Sequence, residues 1–97
     1  MIGGAEGTGG AIRLAAEAAL RSGAGLVRVL THAKNVSAIL SARPELMVAE
    51  ASDEKLKESL EWADIVVIGP GLGQSARARE IVNQVKKSKK DTLWDAD

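Results

Sequence analysis

The chain has 97 residues, room for one small domain at most. Thirteen Lys and Arg balance thirteen Asp and Glu, so charge gives no pull toward nucleic acid or an anionic membrane surface. Hydrophobic residues at 45% and charged residues at 27% argue against a disordered chain, and the absence of cysteine removes disulfide frameworks, thiolate catalysis and Cys-based zinc sites.

Residues 1–4 read as the end of a strand breaking into a glycine turn, because Gly3, Gly4, Gly7, Gly9 and Gly10 crowd the first ten positions. Gly9–Ser22 reads as a helix rich in small residues. Its Ile12, Ala15, Ala16, Ala19 and Leu20 recur at helical spacing, and Arg21-Ser22-Gly23 supplies a cationic last turn and a glycine stop. Gly25–Thr31 reads as a buried strand. Val36–Ala42 follows as a short helix with Asn35 as its N-cap, ending near Arg43 because Pro44 restricts the residue before it. Leu46-Met47-Val48 reads as a short strand.

Ser52 suits an N-cap, with Asp53 and Glu54 in the first turn of a helix running to about Trp62. Ile65–Ile68 is a continuous apolar run, the pattern of a strand buried on both faces. Gly69-Pro70-Gly71-Leu72-Gly73 breaks it. Ser75–Lys87 is an amphipathic helix with Ala78, Ile81, Val82 and Val85 on one side. The basic run from Lys86 to Lys90 reads as its solvated end, and Thr92–Asp95 as a last strand. Ile65–Ile68 is far short of the roughly 20 apolar residues of a membrane helix, and no secretory leader is visible, so a soluble cytoplasmic protein is expected. With Phe and Tyr absent, a base-stacking surface is not expected either.

Strands alternating with helices predict a parallel α/β sheet covered on both faces. Ligands then collect at the C-terminal strand edge. That rule brings Gly3–Gly10, Thr31-His32, Gly69–Gly73 and Asp95–Asp97 to one rim. Glycine lets backbone approach an anion, and a helix start offers unpaired N–H groups, so phosphate binding at the two glycine loops is physically sensible. Neither loop is a P-loop or a clean G-x-G-x-x-G, and both also read as plain tight turns. Asp95 and Asp97 share one face of an extended chain; they suit a hydroxyl, a hydrated Mg²⁺ or a simple strand-end turn. His32 lacks a metal-ligand partner at useful spacing and reads as an exposed loop residue. Trp62 and Trp94 read as packing residues. Arg43-Pro44-Glu45 reads as a turn or a local ion pair.

The stretches Ile2-Gly3-Gly4 through Gly9-Gly10-Ala11, Glu17 through Val27, Arg43-Pro44-Glu45-Leu46-Met47, Gly69-Pro70-Gly71-Leu72-Gly73 and Trp94-Asp95-Ala96-Asp97 together resemble the ADP-dependent NAD(P)H-hydrate dehydratase family of the ribokinase-like superfamily. The resemblance implies a three-layer ribokinase-like α/β domain with a mainly parallel sheet, of which residues 1–97 are the N-terminal portion. It implies dehydration of hydrated NADH or NADPH driven by ADP, or ATP in some relatives, with Mg²⁺ expected alongside the nucleotide. It places Ala11, Gly71 and Gly73 against the hydrated cofactor and Asp95 and Asp97 along the cleft. The family's catalytic aspartate and ADP-holding segment have no counterpart within these residues, so the 97-residue piece is expected to be inactive by itself. A homo-oligomer, a tetramer by resemblance, and fusion to an epimerase half are further implications. A non-catalytic nucleotide-binding module, an inactive truncated piece and a sugar or vitamin kinase are the competing readings.

Overall fold

The computed structural model describes residues 1–42 and 44–95; Arg43, Ala96 and Asp97 lie outside the described residues. The elements are α1 (Gly9–Arg21), β1 (Arg28–Thr31), α2 (Ala33–Ala42), β2 (Met47–Glu50), α3 (Asp53–Trp62), β3 (Ile65–Ile68), α4 (Ala76–Ser88) and β4 (Asp91–Trp94). β1 pairs with β2 and β3 with β4, both parallel, in the registers Val29↔Val48 and Val67↔Leu93. Ile2 bridges the two pairs, parallel to Leu30 on one side and to Ile68 on the other. The order across the sheet is therefore β2, β1, Ile2, β3, β4.

The strand expected at residues 1–4 thus reduces to a single bridging residue, and it lies between the two pairs. Its ladder is complete on both sides. The Ile2 amide donates to Val67 O at 2.8 Å and Gly69 N donates to Ile2 O at 3.1 Å. Toward β1, Leu30 N donates to Met1 O at 2.9 Å and Gly3 N to Leu30 O at 3.1 Å. Below Ile2, at the N-terminal strand edge, β1 and β3 stay apart. An apolar groove of about 610 Å³ opens there, lined in part by Met1, Leu26, Val27, Leu60 and Ile65.

Side chains alternate across the sheet, so each strand feeds two cores. Ile12 and Ala16 of α1 and Ile39 of α2 close over Val27, Val29 and Leu46 on one face. Leu56 and Leu60 of α3 and Ala78, Ile81 and Val85 of α4 close over Ile2, Leu30, Val66 and Ile68 on the other. This is the expected three-layer arrangement. The expectation that Ile65–Ile68 is buried on both faces does not hold. Ile65 is 68% exposed, because α1 and α2 cover β1 and β2 but not the same face of β3 and β4, where Leu93 is also 66% exposed.

Local signals placed most ends correctly. α1 stops on Gly23 at φ +101°, with Gly23 N bonded to Leu20 O and Ala24 N to Ala19 O, the Schellman pattern of paired bonds. Ser52 caps α3 by accepting from Lys55 N, and Ser75 caps α4 by accepting from Ala78 N. Lys90 donates to Ala63 O at 2.8 Å beyond the end of α3, so the basic run closes helix ends as a solvated terminus would. β1 starts at Arg28, later than the strand expected from Gly25, because Gly25 and Leu26 stand exposed outside the core. Trp62 and Trp94 are half-exposed. Each lies beneath a cation, Arg28 at 4.5 Å and Lys86 at 5.9 Å.

α3 and α4 are tied at their N-terminal ends by Arg77. Its guanidinium donates to Asp53 Oδ1 at 2.7 Å, to Glu80 Oε2 at 3.2 Å and to Ala51 O at 2.6 Å. The hydrogen bond from Arg77, then that from Gln84, hold the Asp53 carboxyl below its ordinary value of 3.8. A carboxyl depressed on folding contributes stability that is present above its unfolded pKa and is lost as pH falls through its folded pKa. The wild-type chain should therefore lose stability below about pH 3.8 through this contact. Asp53→Asn should flatten that part of the acid limb, as read by urea midpoints against pH; an unchanged limb would show that the pair contributes nothing.

Candidate functional site

The C-terminal strand edge carries two glycine loops, and the structure brings them into direct contact. The first, residues 3–8, leaves the sheet after Ile2. The second, residues 69–73, leaves it after β3. Gly4 N donates to Pro70 O at 2.9 Å and Ala5 N to Gly71 O at 2.7 Å. The Thr8 hydroxyl lies 2.8 Å from Gly71 O and 3.0 Å from Ala5 O. The approach is close enough that glycine is obligatory. A Cβ on Gly71 would stand 2.6 Å from Thr8 O, and one on Gly4 would stand 2.5 Å from Thr31 Oγ1; both residues also have positive φ.

The second loop is a tight turn. Leu72 N donates to Gly69 O at 2.8 Å across Pro70 and Gly71, with Gly71 at φ +68°, the pattern of a type II turn. Gly73, at φ +79°, has room around it. A hollow of about 420 Å³ lies beside this loop, bounded by Gly69, Gly73, Arg79, Asn83, Trp94 and Asp95.

Beneath the first loop sit two buried polar side chains. Thr31, the last residue of β1, donates its hydroxyl to Gly4 O at 2.9 Å. Asn35 directs its amide nitrogen to Gly4 O and Ala5 O, both at 2.9 Å, and to Thr31 Oγ1 at 3.2 Å. Asn35 is therefore not the expected N-cap. α2 starts three residues earlier than expected, at Ala33, and His32 takes the capping place: its Nδ1 accepts from Lys34 N at 3.1 Å and its carbonyl from Asn35 N at 2.9 Å. Above the loop Glu6 bonds Lys34 at 2.6 Å, with His32 Nε2 at 4.0 Å. All three side chains are exposed, so this cluster adds little stability.

Thr8 precedes α1 in the N-cap position but makes no side-chain cap bond, and α1 has no acidic residue in its first turn. The Thr8 hydroxyl is turned to the second loop instead, donating toward Gly71 O. The start of α1 thus has no side-chain cap, whereas in α4, which follows the second loop, Ser75 occupies the Ala78 N–H. Ala11 lies in the open first turn of α1 with its small side chain exposed.

Of the predicted site residues, Ala11, Gly71 and Gly73 belong to the joined loops and the helix start between them. Asp95 is carried beside the second loop, its amide donating to Ile68 O at 2.8 Å and its backbone packed against Gly69. Asp97 lies outside the described residues. Sequence reasoning placed Thr8 and Thr31 on the rim without a role for either side chain, and it missed Asn35, which it read as a helix cap. The available signal was spacing: a Thr at a strand end with an Asn one helical turn later can both reach the carbonyls of a glycine loop.

The described residues contain no group of three His, Cys, Asp or Glu side chains placed to hold a metal ion. They also contain no helix long and apolar enough to cross a membrane.

The family described as NAD(P)H-hydrate dehydratase matches residues 1–97. The chain is 59% identical over its whole length to a bifunctional NAD(P)H-hydrate repair enzyme of Escherichia coli, of which it covers 19%. It is 46% identical over 86 residues to an ADP-dependent (S)-NAD(P)H-hydrate dehydratase of Streptococcus pneumoniae, of which it covers 30%. Among solved structures, a ribokinase-like superfamily protein of Enterococcus faecalis superposes with a TM-score of 0.88 at 39% identity, over 96% of this chain and 34% of that one. The chain thus spans between 19% and 34% of the length of these relatives, and its fold is a part of the ribokinase-like domain.

The joined loops respond differently to an added methyl group. Gly71→Ala meets both a positive φ and the Thr8 carbonyl, and should cost well over the ~1–2 kcal/mol of left-handed strain alone. Gly73→Ala meets only the strain. Thermal and urea unfolding of the two variants should rank Gly71→Ala as clearly the worse; equal losses would mean the loops are not in contact as described.

Proposed function

This chain belongs to the NAD(P)H-hydrate dehydratase family, and on that premise we propose that it forms the N-terminal, substrate-side portion of a domain that dehydrates NADH or NADPH hydrate at the expense of ADP. The observation that carries the reading is the joined pair of glycine loops beside an uncapped helix start, in a chain that matches the family from end to end.

The substrate is a dinucleotide with an anionic pyrophosphate and a ring hydroxyl. Backbone N–H groups at the second loop and in the first turn of α1 are suited to such an anion, because they bring donors and a positive dipole end without a bulky side chain. Ala11, Gly71 and Gly73 are the residues assigned to that contact, and Asp95 and Asp97 to the border of the cleft. In the proposed reaction the nucleotide phosphorylates the ring hydroxyl and loss of phosphate restores the double bond. These residues bind and orient the substrate. The proton-transferring group and the ADP contacts belong to parts of the domain outside residues 1–97. Mg²⁺ would accompany the nucleotide; the described residues offer no ligand set of their own.

A cytoplasmic location, a homo-oligomer that is a tetramer by resemblance, and fusion to an epimerase half complete the proposal. The last is supported by the name of the bifunctional relatives.

Incubating the full-length protein with NADH hydrate and ADP should restore the reduced-nicotinamide absorbance in an ADP-dependent manner. The piece limited to residues 1–97 should give none. Binding of ADP or substrate without turnover by the full-length protein would favour a nucleotide-binding module, and ATP-dependent phosphorylation of a sugar or vitamin would favour a kinase. Either result would displace the dehydratase reading.

A further inference from the structure

The peptide unit between Gly4 and Ala5 faces two ways. Its N–H, on Ala5, holds the second loop through Gly71 O at 2.7 Å, beside the Gly4 amide that holds Pro70 O. Its carbonyl, Gly4 O, accepts from Asn35, Thr31 and the His32 amide, and the next carbonyl, Ala5 O, from Asn35 again. A peptide unit is planar, so its N–H cannot be moved without its C=O. The placement of the second loop is thus coupled to the buried Asn35, in the first turn of α2, which reaches both carbonyls.

We propose that Asn35, together with Thr8, is a positioning residue that sets the Gly71–Gly73 loop in place for the hydrated cofactor without touching it. The inference rests on the substrate-side reading given above. Asn35 is suited to the task because both its amide hydrogens are used: its nitrogen reaches three acceptors, Gly4 O, Ala5 O and Thr31 Oγ1. Two hydrogens shared among three acceptors on one flat group fix the loop in two directions. Thr8 supplies the second attachment from the solvent side. Its hydroxyl reaches Gly71 O and Ala5 O and makes no cap bond to α1.

The decisive variants are Asn35→Asp and Thr8→Val in the full-length protein. Asn35→Asp keeps the shape but sets carboxylate oxygens against two carbonyl oxygens. Thr8→Val keeps the volume at an exposed position and removes the donor. Because Thr8 is exposed, its variant keeps the question answerable if Asn35→Asp fails to fold. The loss of one neutral hydrogen bond corresponds to about a two- to tenfold effect. At temperatures well below unfolding, Thr8→Val should raise the KM for NADH hydrate by about that factor, and Asn35→Asp by about tenfold or more. The KM for ADP should stay within about twofold of wild type. Thr8→Ser should recover most of the loss. In the same variants the Ala5 amide should lose hydrogen-exchange protection. A uniform fall in kcat with both KM values unchanged, or no change in any of them, would overturn the inference. A wild-type protein without turnover would instead sink the dehydratase reading itself, whereas an active wild type with unaltered variants sinks only the positioning role.

Discussion

The rim formed by the two glycine loops depends on Ile2. One residue with ladder bonds on both sides takes the central place in the sheet, and among the described residues its two bridges join the β2–β1 pair to the β3–β4 pair in register. Buried at 4% exposure and packed into the core with Leu30, Val66 and Ile68, it fixes where the two halves of the sheet end relative to each other. The chain leaves the sheet immediately after it. The first glycine loop therefore emerges between the ends of β1 and β3, the one position from which it can touch both Thr31 and the loop after Ile68.

That position explains why the site is built from backbone rather than side chains. Two loops leaving neighbouring strands in a parallel sheet start only about 5 Å apart. They can bond each other directly only if no side chain stands between them. Gly4 and Gly71 meet that demand: in each case a Cβ would collide with the opposite loop or with Thr31. With backbone amides used on one side, the carbonyls on the other are satisfied in turn: Gly4 O accepts from His32 N at 3.1 Å and Ala5 O from Thr8 N at 2.9 Å. Thr31 and Asn35 add side-chain donors to the same carbonyls. The described residues accordingly leave no buried side-chain polar atom without a partner. Glycine content, buried hydroxyl and buried amide are one solution to one packing problem.

The fold was legible where the signal was local. Ser52 and Ser75 as caps, Gly23 as a helix stop and the apolar face of Ala78, Ile81 and Val85 each needed only a few neighbouring residues to be read. The rim could also be assembled in outline, because the strand order and one topological rule suffice for it. What escaped was non-local. Asn35 looks like a cap from its neighbours, since Asn is favoured there. Its actual role is set by Gly4 and Ala5, about thirty residues away. Thr8 stands just before α1, yet its hydroxyl reaches Gly71 O, 63 residues on. Ile65 looks buried because its run is apolar, yet burial depends on which helices cover its face. The assignment of Ala11, Gly71 and Gly73 to the substrate rests on the family resemblance, since spacing alone left them as either loops or turns.

The coverage of the sheet is uneven, and this bears on how far the rim depends on the rest. Ile65 and Leu93 stand exposed on the face that α1 and α2 do not reach, and burying one such side chain is worth about 1.5–3 kcal/mol. Whatever covers that face alters the stability of β3 and β4 substantially. It need not alter the joined loops. Their bonds run to Ile2, Thr31, Asn35 and Pro70, all within the covered part of the molecule, and the residues behind them, Ile12, Leu30 and Ile68, are among the most deeply buried in the chain. Stability and site geometry are thus drawn from different parts of the same sheet. The joined loops are held by a compact set of backbone bonds within residues 2–35 and 68–72, independent of any further layer on the sheet.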